Sequence, residues 1–157
     1  MRIVFPKVKL AKLLIDPGGK PVVEALEDAK ANLAVLQPEC RAELEALAKQ
    51  IEECFERTPP AGDGPSTVEF YNLAAGGVGL GAVAGLASVD DTLVSLCNLM
   101  DYFQVHGRWD HEALRVHVQT LKLLVSGADL PPAAVEAVLA GLHRVNQHYK
   151  PADDAKA

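Results

Sequence analysis

The chain has 157 residues, enough for one domain with a hydrophobic core. It is 49% apolar but only 5% aromatic, a balance that favours packed helices over sheets. Its formal net charge of −6 argues against a nucleic-acid binder, which needs a dense basic face.

Residues 1–16 mix apolar side chains with Arg2, Lys7, Lys9 and Lys12, and lack the uninterrupted apolar core of a secretory signal. The DPGGKP turn, Asp16 to Pro21, closes this segment. Residues 1–21 therefore read as an N-terminal arm or extra helix, residues 22–150 as a helical bundle, and residues 151–157 as a frayed tail.

Val22, Leu26, Ala29, Leu33 and Leu36 fall at helical spacing with acidic and basic residues between them. Pro38 interrupts, and the pattern resumes at Cys40, Leu44, Leu47, Ile51 and then Cys54 or Phe55. Two helices or one kinked helix both satisfy residues 22–56. Arg57 to Ser66 is a Pro- and Gly-rich loop, and Ser66 or Thr67 is expected to cap the helix after it.

That helix carries YNLAAGGVGLG, residues 71–81. The stretch includes a GxGxxA string, Gly79 to Ala84, but no strand precedes it, so a dinucleotide loop is not indicated. No Gly-Lys-Ser/Thr follows, so it is no P-loop. The apolar run of residues 73–87 is too short and too rich in glycine for a membrane span. Close helix packing, a turn, or contact with a partner protein accounts for the small residues better.

Val89, Leu93, Leu96, Met100 and Phe103 form the next stripe, opposite Asp91, Ser95, Asn98 and Asp101, and Gly107 is its expected stop. Asp110 is the expected cap of the cleanest amphipathic helix in the chain. Its polar stripe is Glu112, Arg115, Gln119, Lys122 and Ser126, and its apolar stripe Leu114, His117, Val118, Leu121 and Leu124. Gly127 closes it. Pro131 and Pro132 open a last helix whose buried face is expected at Val135, Val138, Leu142, Val145 and Tyr149. The class is all-α, an antiparallel bundle of four-helix type.

Few residues suggest chemistry. His117 stands in an apolar stripe, where a histidine is first a core residue; as a phospho-acceptor it is the alternative. His143 and His148 are five apart, and the pair His111–Glu112 has no second histidine at position 115, so no metal site is expected. No nucleophile-and-base arrangement can be argued from spacing, and neither a catalytic residue nor a cofactor is expected. Trp109, beside Arg108, reads as a clasp for the 107–110 turn, with a binding role as its alternative. Cys40, Cys54 and Cys97 are an odd set without a CxxC pair, which suits a reducing, cytoplasmic compartment.

The stretch from Tyr71 resembles the signature helix of histidine phosphotransfer (HPt) domains, four-helix bundles of signalling phosphorelays. Their pattern runs roughly H-x-L-K-G-x-(A/S)-x-x-x-G. Leu73 takes the Leu place, Gly76 and Gly77 the small places that admit a receiver domain, and Gly81 the last Gly place. Tyr71 stands in the place of the phosphorylated His, Ala74 in that of Lys and Ala75 in that of the next Gly. The resemblance implies an HPt-like bundle without its nucleophile or its cation. The chain is also similar over most of its length to CheE-type accessory proteins of alphaproteobacterial chemotaxis clusters. PGGKPVVEALEDAKANL and SLCNLMDYFQVHGRWDHEALRVHVQTLKLL carry that similarity.

Together these resemblances imply a non-catalytic adaptor of chemotaxis or two-component signalling. It would bind a receiver domain or a histidine kinase through Tyr71, Ala74, Ala75 and Val78. A relay protein that uses His117, and a structural homodimer, are the alternatives.

Overall fold

A computed structural model describes residues 20–127 and 130–150 of the chain. Among these residues the fold is all-α, with six helices and no strand. They are α1 Val22–Arg57, α2 Gly64–Gly77, α3 Leu80–Ala84, α4 Ala87–His106, α5 His111–Val125 and α6 Pro132–Tyr149. The chain divides into two units, Met1–Leu33 and Ala34–Ala157.

In the first unit the described residues open α1. All of them are exposed, Val22 and Leu26 among them, and Lys20 pairs with Glu24 and Asp28. The arm expected before Val22 and the tail expected after Lys150 fall almost wholly outside the described residues.

The second unit holds the core. α1 runs unbroken through Pro38, so the open question of one helix or two is answered. Proline removes one helical hydrogen bond and orphans the carbonyl four residues back. Here both Pro38 and Ala34 are exposed, so water can take the partner's place. Beyond Cys40 the helix turns Leu44, Ala48, Ile51 and Cys54 inward.

The central helix is α4, which packs against α2, α3, α5 and α6. Val89, Leu93, Leu96, Met100 and Phe103 are buried, as their spacing predicts. So are Leu114, His117, Val118, Leu121 and Leu124 of α5, while its polar stripe is exposed throughout. On α6 only Leu142 and Asn146 are fully buried; Val135, Val138, Val145 and Tyr149 are half-buried.

Helix termini explain the boundaries. Asp110 caps α5 by accepting from the Glu112 and Ala113 amides at 2.9 and 3.0 Å. Gly107 ends α4 in the left-handed region with φ +59°. The cap of α2 is neither Ser66 nor Thr67 but Asp63, which accepts from the Ser66 amide at 2.6 Å. Pro65 then sits in the first turn, where a missing N–H costs nothing. Trp109 lies across Gly62 and against Phe103, ring centroids 5.3 Å apart, so it does clasp the 107–110 turn to the body. No helix among the described residues is long and apolar enough to cross a membrane.

Candidate functional site

Small residues build the α2–α3 region, and each has a different structural reason. α2 ends at Gly77, and the chain reverses into the short helix α3 through Gly79, whose φ of +98° is strained for any other residue. At Gly81 a Cβ would stand 2.7 Å from the Leu86 carbonyl oxygen and from Asp90 Oδ1. Asp90, on the first turn of α4, accepts from the Gly79 and Gly81 amides at 2.9 Å each, and from Ala82 at 2.7 Å. One carboxylate thus satisfies three amides at the start of α3 that the helix itself leaves open. Gln37 and Arg41 of α1 hold the other end, donating to the Ala84 carbonyl at 3.1 and 3.4 Å.

This bracing presents a smooth surface. From Phe70 to Val89 the chain has no charged residue. Tyr71, Asn72, Ala75, Gly76 and Val78 are exposed there, Tyr71 to 38% and Val78 to 44%. Three of the four residues expected to meet a partner, Tyr71, Ala75 and Val78, therefore share an accessible patch. The fourth does not: Ala74 is fully buried, because it faces α4 one turn below Phe70. Gly77 is likewise turned inward, against Leu47 and Leu93.

His117 is placed quite differently. It has no solvent exposure, and both ring nitrogens are engaged. Nδ1 lies 2.8 Å from the Ala113 carbonyl oxygen, which can only accept, so Nδ1 carries the proton. Nε2 lies 2.9 Å from Ser95 Oγ. Burial pushes its pKa below the usual histidine value, against a smaller opposing effect of the Ala113 bond. A ring so enclosed offers neither nitrogen to a phosphoryl donor in this conformation.

Asn146 completes this network, with Nδ2 donating to the Ser95 carbonyl at 2.8 Å and to Ser95 Oγ at 2.9 Å. The spacing of residues alone missed it. The signal was a polar residue four places beyond Leu142, in register with the apolar face of α6. The other histidines do not converge: His111 stacks on Phe55 with centroids 4.5 Å apart, and His143 accepts from Gln147 at 2.8 Å. No group of three candidate metal ligands exists among the described residues.

No family model matches the chain, and no curated protein or solved structure is similar enough to it to count as a match.

Proposed function

We propose that the chain is a non-catalytic adaptor of chemotaxis or a related two-component pathway, docking a receiver domain through the exposed face of α2. The observation that carries this reading is the exposed row of Tyr71, Asn72, Ala75 and Val78 in a stretch without charge, with open space around Gly76. Small residues let a partner helix approach closely, and an aromatic residue beside them supplies an anchor. The phosphotransfer resemblance places the receiver-binding surface on the same helix. With Tyr71 in the acceptor place and His117 enclosed, the adaptor binds without carrying phosphate.

The test is a titration of ¹⁵N-labelled protein with a receiver domain encoded beside it. Saturable shifts at Tyr71, Asn72, Ala75 and Val78 are expected, and Tyr71→Ala should weaken binding by about tenfold or more. An unmoved spectrum at high receiver concentration would remove the reading.

A second reading, a homodimer, is favoured by one feature of α1. Val22, Leu26, Ala29, Leu33 and Leu36 are exposed and follow one another in alternating steps of four and three. That spacing is the seam of a coiled coil, and a second copy carries the same seam. Sedimentation velocity decides it: a dimer that Leu26→Glu with Leu33→Glu splits supports the reading, and a monomeric parent chain ends it.

A further inference from the structure

The opening turns of α1 carry an apolar row that stays exposed. Val22, Leu26, Ala29 and Leu33 recur in steps of four, three and four, which sets them on one face of the helix. Val22 is 74% exposed, Leu26 56% and Leu33 48%. Single apolar residues are ordinary on a surface, but a continuous row marks a place of contact. The same turns carry the acids Glu24, Glu27 and Asp28 against one base, Lys30.

The segment just before them is complementary in both respects. Residues 1–16 hold Arg2, Lys7, Lys9 and Lys12 against the single acid Asp16. Val8, Ala11, Leu14 and Ile15 follow at helical spacing, and Pro6 stands where a helix over residues 7–15 would begin. Residues 1–19 lie outside the described residues, whose first member, Lys20, almost adjoins α1. Pro17 to Pro21 is a stretch of turn formers, and five residues suffice to join two antiparallel helices. A helix over residues 7–15 is about 14 Å long, and the row from Val22 to Leu33 spans about 18 Å.

A second copy of the chain is the other candidate for this row, and the weaker one. Its own row arrives with the same three acids, so like charges oppose the pairing. The arm has the opposite sign. It is also tethered: a short connection holds it at a local concentration of about millimolar, which a separate molecule at ordinary concentration does not reach.

We propose that residues 7–15 fold back as a helix antiparallel to the start of α1 and cover Val22, Leu26, Ala29 and Leu33 with Val8, Ala11, Leu14 and Ile15. The homodimer reading needs the same row, so the two occupants exclude each other.

Methyl NOEs in the full chain, ¹³C-labelled at Val and Leu, test this. Cross-peaks are expected from Val8 or Leu14 to Val22 or Leu26. A mixture of labelled and unlabelled chains, filtered for contacts between molecules, should show none of them. Leu26→Glu with Leu33→Glu should move the Val8 and Leu14 methyls to unfolded-chain positions. The buried Leu96 and Leu121 methyls should stay in place and report a folded core. The proposal is overturned if no such cross-peaks form, if they survive the filter as contacts between two copies, or if the Val8 and Leu14 methyls ignore the α1 variant. None of these readouts depends on receiver binding.

Discussion

Ser95 Oγ and His117 Nε2 stand 2.9 Å apart in the core, which fixes the histidine as a neutral ring between α4 and α5. Because its folded pKa is held below the ordinary 6.5 by burial, the unfolded chain binds the proton more readily. Stability should therefore fall as pH drops below about 6.5, and continue to fall until the lower folded pKa is passed. The steepest slope from one such group is about 1.4 kcal/mol per pH unit. Urea midpoints measured at pH values from about 7 to about 5 check this. His117→Gln should lower stability at neutral pH by roughly 1–3 kcal/mol and flatten the slope; a slope that persists in the variant assigns it elsewhere.

The glycines around α3 should respond in opposite directions. Gly81→Ala forces a Cβ to within 2.7 Å of the Leu86 carbonyl and Asp90, so a loss of about 2 kcal/mol or more is expected. Gly76 is helical, exposed and has open space around its Cβ position. There alanine should add roughly 0.5–1 kcal/mol. Asp90→Ala orphans three amides and should cost about 1–2 kcal/mol. Thermal melts of the three variants rank them, and a neutral Gly81→Ala would mean the turn is not built as described.

Periodicity carried most of the fold because the helices from α4 onwards are amphipathic in the simplest way. Leu93, Leu96, Leu114 and Leu121 are all buried where their spacing puts them. What spacing cannot carry is a contact between distant residues. Asp90 and Asp91 look alike in the sequence, as first-turn acids of one helix, yet one is the clamp of α3 and the other faces a cleft. A loop rich in cap residues offers several candidates, so spacing alone does not single out Asp63 over Ser66 or Thr67. Its place in the motif puts Ala74 on the surface, whereas its burial follows from the helix register that also buries Phe70. The continuity of α1 through Pro38 rests on solvent exposure at Ala34, which the residues alone leave open.

The three thiols should separate by reactivity. Cys54 is 1% exposed, and burial, then the nearby Glu69 charge, push its thiol up to about 11. Cys40 and Cys97 are only half-buried, though burial raises Cys97 as well. With a thiol reagent at mildly alkaline pH, Cys54 should label only as fast as the core opens. Peptide mapping after a timed quench reads this out, and early labelling of Cys54 would contradict the packing of α1 described above.

The last turn of α6 is tied to the start of α5. The Tyr149 hydroxyl donates to Asp110 Oδ2 at 2.5 Å, while Oδ1 of the same carboxylate caps the helix. The Tyr149 bond, then the Ala113 amide, hold the Asp110 carboxyl below its usual range. Its contribution is present above the unfolded value of 3.8 and is lost as pH falls through the lower folded value. Burial, with Asp110 adding to it, pushes the Tyr149 phenol up to about 12. That contribution is whole below the unfolded value of 10.0 and is lost as pH rises towards 12. Tyr149→Phe should therefore remove the alkaline loss that is specific to this pair and reduce the acid one. A double-mutant cycle of Tyr149→Phe with Asp110→Asn should give a coupling of roughly 1–2 kcal/mol at neutral pH, since asparagine keeps the cap but not the charge. Additive losses would mean that the Tyr149–Asp110 bond does not hold the end of α6.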